Sequence, residues 1–308
     1  MVVRQLTDGQ ELDCVLLVRE LHTTHNGSEH VRLTLGDRSG SVSAVVRDGV
    51  APACEIGAAV RIQGQIRGGE IAIRSLRAAH PEEVDYAALM DGPPRGAAQM
   101  EADLRELIGT VQNPHLRRLL EAVLGPHAES WRRFRDAPAA KRYHQAYRHG
   151  LLEHSLSVAQ SVNAVAANFP GIDRDVAVCG ALLHDIGKLD AYTADPLAID
   201  MTDAGKLQGE IALGYYRVRR LIEELPGFPA ELAAAVLHII LSHHGALEHG
   251  SPVVPCTREA TLVHMIDNLG GRLGSFDRLE KELPDGSRWS GYDRALRSGA
   301  YFAAREAA

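Results

Sequence analysis

The hydrophobic pattern of this chain changes its period near residue 80, and that change limits what the chain can fold into. From about residue 12 to residue 78 apolar and polar residues alternate, as in Val31–Leu35, Val42–Val46 and Val60–Ile66. Alternation with period two predicts strands with one buried face. Beyond about residue 100 the apolar residues recur at helical spacing. We therefore expect an all-β domain followed by an all-α domain.

Turns separate about five predicted strands in the first half. Hairpin signals lie at His25–Ser28 and Arg67–Glu70, and a third turn lies at Gly36–Gly40. We predict that the strands are antiparallel and close into a small barrel. A long first strand followed by these turns resembles an OB-fold of the nucleic-acid-binding kind.

The composition of the predicted barrel leaves its role open. Its sequence contains no aromatic residue before Tyr86 and no lysine, and the whole chain carries a formal charge of -7. Bases stack on aromatic side chains and phosphates attract cations, so this barrel has few groups that hold nucleic acid. It is predicted either to guide a strand or to serve as a protein-contact module.

Acids, prolines and glycines enrich residues 81–96 and predict a connection between domains. The predicted organisation is an OB-fold domain over 1–84, a linker over 85–100 and a helical domain over 101–308, with its ligand-bearing core at about 140–275. Predicted helices cover about 100–124, 150–168, 173–187, 205–224, 229–244 and 257–273. The four cysteines are scattered, which predicts reduced thiols, and the N-terminus lacks an apolar signal, so we expect a cytoplasmic protein.

His184 and Asp185 stand side by side at the end of the apolar run 176–183. Burying an unpaired imidazole and carboxylate costs several kcal/mol, so a bound metal ion is the expected compensation. Further candidate ligands sit in helical apolar patterns elsewhere: His154, His243, His244 and Asp267. Nitrogen and oxygen donors without thiolate suit Mn²⁺, Mg²⁺, Co²⁺, Fe²⁺, Ni²⁺ or Zn²⁺. His264 shares a helical face with Asp267 and is interpreted as its neighbour rather than as a ligand.

The order His, His-Asp, His-His, Asp on successive helices resembles the HD phosphohydrolase superfamily. The resemblance implies that His154, His184, Asp185 and Asp267 hold one divalent ion and that the intervening residues hold a second. Within the chain, an OB barrel followed by an HD domain resembles the YhaM-type 3′→5′ exoribonucleases. The segments that carry this resemblance are Lys141–His154, Gly180–Lys188 and Leu241–Pro255. It implies Mn²⁺-activated release of nucleotides from single-stranded RNA, and sometimes DNA.

The chain departs from that pattern at several positions. Glu210 stands where a histidine ligand of the second ion is expected, so it is either a carboxylate ligand or a solvated helix residue beside a one-ion site. His149 and Gln145 replace an expected glycine and histidine. The barrel has Val46-Arg47 where an aromatic residue often follows the third strand.

Roles for the site residues follow from this chemistry and the resemblance. Asp185 is suited to bridge two ions, with His243, His244 and Glu210 left for the second, and Lys188 can contact a phosphate oxygen. Lys141, His144 and Tyr147 are predicted to hold the terminal nucleotide, or else to form a packed helix face.

We expect an intracellular metal-dependent phosphodiesterase that degrades single-stranded RNA from its 3′ end to nucleoside 5′-monophosphates. Two alternatives remain: hydrolysis of a small or cyclic nucleotide, and a nucleic-acid or protein binding module with a degenerate metal site. The expected partners are accordingly RNA, single-stranded DNA or nucleotides. Formation of a homo-oligomer is left open, and no membrane association is expected.

Overall fold

The structure is a computed structural model that describes residues 3–24, 30–46, 54–90, 92–141, 145–193, 199–283 and 286–303. The described residues divide into two compact units: the first covers those up to Gly92 together with Ile199, and the second covers the others from Pro93 onward. The first is a closed barrel of five strands and the second is helical, which confirms the predicted fold class. The predicted domain boundaries stay predictions. Among the described helices, none has the length and apolarity needed to cross a membrane.

The barrel strands are β1 (Glu11–Thr24), β2 (His30–Asp37), β3 (Gly40–Val46), β4 (Ala59–Arg67) and β5 (Glu70–Ala78). They close in the order β1-β2-β3-β5-β4. Alternate residues of β4, including Val60 and Ile62, point into the apolar interior. The hairpin predicted between β4 and β5 is confirmed, and its glycines Gly68 and Gly69 both have positive φ.

The prediction of antiparallel strands is wrong at one seam, because β3 pairs with β5 in parallel. A parallel pair needs a crossover connection, which β4 supplies. The predicted turn at His25–Ser28 lies outside the described residues, as does Arg47.

The helices are α1 (Tyr86–Leu89), α2 (Ala97–Gly109), α3 (Pro114–Leu124), α4 (Trp131–Asp136), α5 (Gly150–Ala166), α6 (Arg174–Leu183), α7 (Lys188–Ala191), α8 (Asp203–Gln208), α9 (Glu210–Glu224), α10 (Ala230–Ser242) and α11 (Arg258–Glu282). The short α1 falls inside the predicted linker and contacts the barrel, where Ala88 O accepts a hydrogen bond from Arg38 N–H.

Several predicted helix boundaries are wrong, each for a local reason. The helix predicted at 100–124 is two helices, because Pro114 cannot continue a helix and Asn113 caps α3 through the amides of His115 and Leu116. The helix predicted at 205–224 is broken at Gly209, which has φ 78°. The last helix runs beyond its predicted end to residue 282, because burial of Leu279 outweighs the weak helix propensity of its glycines.

The core of the helical unit brings the ends of two helices together. Gly180 on α6 faces Ile239 on α10, and a Cβ at Gly180 would lie 2.3 Å from the Ile239 side chain. The glycine therefore permits a close approach of these helices. As a result, the rings of His184, just after α6, and His243, just after α10, meet edge to face with centroids 4.9 Å apart.

Candidate metal centre

Five segments of the helical unit supply the candidate ligands. His154 lies on α5, His184-Asp185 follow α6, Glu210 begins α9, His243-His244 follow α10, and Asp267 lies on α11. The structure brings all of them into one buried cluster. Their side-chain donors fall into two sets that meet at Asp185.

The first set consists of His154, His184, Asp185 and Asp267. The Nε2 atom of His154 lies 3.2 Å from His184 Nε2, 3.2 Å from Asp185 Oδ2 and 3.1 Å from Asp267 Oδ1. Ligands held about 2.1 Å from one ion are themselves about 3 to 3.5 Å apart. The spacing of this set therefore fits a single divalent ion.

The second set consists of Glu210, His243 and His244, whose donor atoms all lie within 4.8 Å of one another. His244 Nε2 is 3.4 Å from Glu210 Oε1. The Glu210 side chain is only 20% exposed, so Glu210 faces the cluster rather than solvent. A carboxylate beside two imidazoles is a donor set for a borderline or hard divalent ion.

Asp185 connects the two sets through its two oxygens. Oδ2 faces His154 and His184, while Oδ1 lies 3.5 Å from His243 Nε2. Both Asp185 Oδ1 and His243 Nε2 are buried, and neither has a hydrogen-bond partner among the described residues. Buried polar atoms without partners are rare and costly. A cation between them would satisfy both, so the residues present fit a divalent metal.

The histidines are fixed so that Nε2 points at the cluster. In each ring Nδ1 is occupied by an oxygen: Ala181 O for His184 at 2.7 Å, Ile240 O for His243 at 2.8 Å and His249 O for His244 at 2.9 Å. An imidazole that donates through Nδ1 presents a lone pair on Nε2. These rings are therefore oriented as metal ligands before any ion binds.

The charges of the first set favour a cation at its centre. Burial alone would lower the pKa of His184, but the Asp185 carboxylate raises it to about 10. Burial also opposes ionisation of Asp267, yet contact with His154 and His184 holds the pKa of Asp267 well below its usual range. His243 differs, because burial lowers its pKa and keeps it neutral. The acids of the cluster are thus ionised and attract positive charge, which is a proton on His184 without metal and would be a divalent ion when metal binds.

Two glycines allow the elements of the cluster to approach. A Cβ at Gly187 would lie 1.9 Å from Glu210 O and 2.5 Å from Gly214 N, so the turn after Asp185 rests directly on α9. Gly245, with φ 82°, leaves room for the His264 ring, and a Cβ there would lie 2.0 Å from it. His264 bonds through Nδ1 to His243 O at 2.7 Å and so supports the second set.

Lys188 lies at the edge of the cluster, with Nζ 2.7 Å from Asp185 Oδ2. The helix predicted over about 173–187 ends earlier, at Leu183, and a turn separates it from α7, which begins at Lys188. Burial alone would lower the pKa of Lys188, but Asp185 and Glu210 raise it. The ammonium is therefore charged within the cluster.

The predicted substrate-binding residues have other contacts in this structure. Lys141 forms an ion pair with Asp200 at 2.6 Å, and both side chains are exposed. The Tyr147 hydroxyl donates to Glu153 Oε2 at 2.6 Å. His144 lies outside the described residues.

Sequence reasoning missed how Gln145 supports the centre. Its side-chain oxygen accepts a hydrogen bond from His154 Nδ1 at 3.1 Å, which orients His154 as the backbone carbonyls orient the other rings. Gln145 and His149 have φ of 60° and 70°, a left-handed conformation that favours glycine. The expected glycine at position 149 was the available signal that the backbone turns sharply before α5.

Comparisons with known proteins agree with this geometry. Residues 151–271 match the HD domain, a metal-dependent phosphohydrolase domain, which implies a divalent metal in this protein. The chain is 32% identical to the 3′-5′ exoribonuclease YhaM of Geobacillus sp. (strain WCH70), over 90% of this chain and 87% of that protein. It is 30% identical to the 3′-5′ exoribonuclease YhaM of Listeria innocua serovar 6a, over 90% of each. The chain belongs to the YhaM family of 3′-5′ exoribonucleases.

Proposed function

We propose that this protein is a metal-dependent 3′-5′ exoribonuclease that removes nucleoside 5′-monophosphates from single-stranded RNA. The observation that carries the proposal is Asp185, whose two oxygens face two donor sets in a family of exoribonucleases. One set alone would suit many metalloproteins. Two sets joined by one carboxylate suit the two-ion arrangement common in phosphodiester hydrolysis.

We assign two ions to the cluster. The first ion would be held by His154, His184, Asp185 and Asp267. The second would be held by Asp185, Glu210, His243 and His244. The mixed imidazole and carboxylate donors support Mn²⁺, as the resemblance implies. When bound, two such ions neutralise phosphate charge and lower the pKa of a water molecule.

In the reaction, water adds to the phosphorus of the last phosphodiester and the bond to the preceding 3′ oxygen breaks. The products are a nucleoside 5′-monophosphate and an RNA shortened by one residue, whose 3′ oxygen takes up the proton. Lys188 Nζ is charged and close to Asp185, so it can bind a phosphate oxygen where negative charge develops.

Lys141 and Tyr147 are proposed to bind the terminal nucleotide, together with His144. The ion pair of Lys141 with Asp200 is exposed, and such pairs contribute little. A phosphate can therefore replace Asp200 as the partner of Lys141. The Tyr147 ring would stack on a base while its hydroxyl stays on Glu153.

The test uses 5′-labelled single-stranded RNA with Mn²⁺, with and without chelator, and a 3′-blocked RNA beside it. We expect a chelator-sensitive ladder that shortens from the free 3′ end. Asp185→Asn should remove the activity and the bound metal together. Asp190→Asn is the matched control, because Asp190 lies five residues away in an ion pair with Arg217, outside the cluster. A fully active Asp185→Asn protein would overturn the proposal.

The role of Glu210 is tested separately by metal content. Wild type should hold two ions per chain, and Glu210→Gln should hold one while retaining the first set. Equal metal content in both proteins would show that Glu210 is not a required ligand of the second ion. Cleavage of single-stranded DNA, turnover of free nucleotides, self-association and a cytoplasmic location are predictions that the same preparations and cell fractionation can test.

A further inference from the structure

The segment 288–302, here named the C-terminal hairpin, has a defined structure and contributes no residue to the metal cluster. Its two halves pair through Phe302 N to Arg288 O at 2.8 Å and Ser290 N to Ala300 O at 3.0 Å. Trp289 and Tyr301 are bridge partners. Residues directly opposite in an antiparallel pair project to the same side. The two rings accordingly lie together, with centroids 5.1 Å apart.

Two contacts fix the C-terminal hairpin to α11. Arg278 Nη2 bonds to Asp293 Oδ2 at 2.5 Å, and the rings of Phe276 and Phe302 meet edge to face at 6.3 Å. Ala300, within the hairpin, is buried. The hairpin is therefore a positioned part of the helical unit, attached to the same helix that carries Asp267.

Three aromatic residues of the hairpin are exposed to solvent. Trp289 is 61% exposed, Tyr292 is 73% exposed and Tyr301 is 48% exposed. Several exposed aromatic residues in one short segment indicate a binding surface, whereas single exposed apolar residues are ordinary. The barrel, by contrast, has no aromatic residue on which a base could stack.

The hairpin is also locally basic in an acidic protein. Residues 286–303 contain three arginines, Arg288, Arg294 and Arg297, and one acid, Asp293, which pairs with Arg278. The three arginines are exposed and have no ion-pair partner among the described residues. The whole chain carries a charge of -7. A polyanion is therefore the kind of partner that this patch favours.

We propose that the C-terminal hairpin binds single-stranded RNA upstream of the 3′ end, with bases stacked on Trp289 and Tyr301 and phosphates beside the arginines. Sequence-tolerant stacking of this kind is how single strands are held without base readout. The proposal rests on the proposed function, because it names how the substrate of that same centre is held.

The position of the hairpin on α11 sets a length requirement. Phe276 follows Asp267 by nine residues, or about 14 Å of helix. At about 3.4 Å per stacked nucleotide, this distance corresponds to about four nucleotides. A dinucleotide can therefore occupy the metal centre without reaching the hairpin, whereas a 20-mer reaches both.

The kinetic test compares these two substrates in the full-length, metal-loaded enzyme. The double variant Trp289→Ala, Tyr301→Ala should raise KM for a 20-mer about tenfold, the loss expected for a stacking contact. Its kcat, and its turnover of a dinucleotide, should stay at the wild-type value. Tyr216→Ala is the matched control, because Tyr216 is 64% exposed on α9 and is not part of the C-terminal hairpin. An unchanged KM for the 20-mer would overturn the proposal.

A binding test separates this proposal from the proposed function, because it needs no turnover. The chain has two tryptophans, and Trp131 is buried while Trp289 is exposed. Unlabelled poly-uridine RNA added in the presence of chelator should quench the fluorescence of wild type in a saturable way. Trp289→Phe should lose that response. Absence of quenching, or a wild-type oligomer that Trp289→Ala dissociates, would overturn the proposal whether or not the enzyme is active.

Discussion

Two buried aspartates, one in each unit, differ in what surrounds their oxygens. Asp37, at the end of β2, accepts hydrogen bonds from the amides of Val3 at 2.8 Å and Ser39 at 2.7 Å, and from the Ser39 hydroxyl. Asp185 has Lys188 and imidazole nitrogens near Oδ2, but its Oδ1 has no hydrogen-bond partner in the described part of the chain. Both side chains are almost fully buried.

The difference separates a structural carboxylate from one shaped for a ligand. Among the residues whose burial is described, Asp37 is the polar side chain that the barrel buries, and its partners come from the protein itself. The helical unit leaves Asp185 Oδ1 and His243 Nε2 to an external partner. Because such atoms cost free energy when unpartnered, we infer that the helical unit is less stable without its metal and that the barrel is indifferent to it.

Among the changes discussed, removal of the metal should have the largest effect on the free energy of unfolding. A ligand that binds only the folded protein at a thousand times its dissociation constant raises the free energy of unfolding by about 4 kcal/mol. We expect Mn²⁺ to stabilise wild type by about this amount in urea unfolding. Asp185→Asn should show no metal-dependent stabilisation.

Hydrogen exchange locates that stabilisation. Amides of α5, α6, α10 and α11 should gain protection on adding metal, while those of β1 to β5 should not change. Equal gains in both units would contradict the distinction between Asp37 and Asp185.

The metal site was the part of this molecule most accessible from sequence. A polar His184-Asp185 pair after an apolar run has no ordinary structural explanation, so it indicates a ligand. The fold class followed from the change in periodicity. The split of the donors into two sets was expected from the family resemblance, but the sequence does not tell which oxygen of Asp185 faces His243.

Contacts between segments that are distant in sequence were the hardest to predict. The parallel pairing of β3 with β5 depends on barrel closure, which alternation does not encode. The bond from His154 to Gln145 and the close approach of Gly187 to α9 depend on packing between separate elements. Helix ends at Gly209 and Leu183 likewise depend on how α9 rests on the turn after Asp185.

Gly187→Ala should disturb the metal-binding unit alone. The new Cβ would meet the backbone of Glu210 and Gly214, which cannot move as a side chain can. We expect a loss of about 3 kcal/mol in the free energy of unfolding and weaker metal binding by the second set. Gly270→Ala on α11 is the control, since a Cβ there meets nothing within 4 Å and should stabilise slightly. Similar losses in both variants would show that the Gly187 contact has no special role.

Asp37→Asn should weaken the barrel to a smaller extent. An amide in place of the carboxylate turns an N–H toward the donors of Val3 and Ser39, which costs about 2 kcal/mol. Because the partners of Asp37 are all protein groups, the loss measured by urea unfolding should be the same with and without Mn²⁺. A loss that metal abolishes would contradict the assignment of Asp37 to structure.

Asp175 tests whether other acids of the helical unit depend on a bound metal, as we infer for Asp185. Asp175 Oδ2 accepts the amides of Gln112 at 2.6 Å and Asn113 at 2.8 Å, and Arg174 pairs with Oδ1. Burial opposes ionisation, but the Asn113 amide and Arg174 lower the pKa of Asp175 below its usual value.

A lowered pKa gives stability that is present above the ordinary carboxyl pKa and is lost as pH falls through the folded-state value. Asp175→Asn should therefore lower the free energy of unfolding by about 1 kcal/mol at pH 7. This difference from wild type should become smaller below about pH 4. The difference should be equal with and without metal, because the protein satisfies Asp175 as it satisfies Asp37. A difference in stability from wild type that changes with metal would mean that metal dependence extends to the whole helical unit. A difference that does not change with metal would restrict this dependence to the cluster around Asp185.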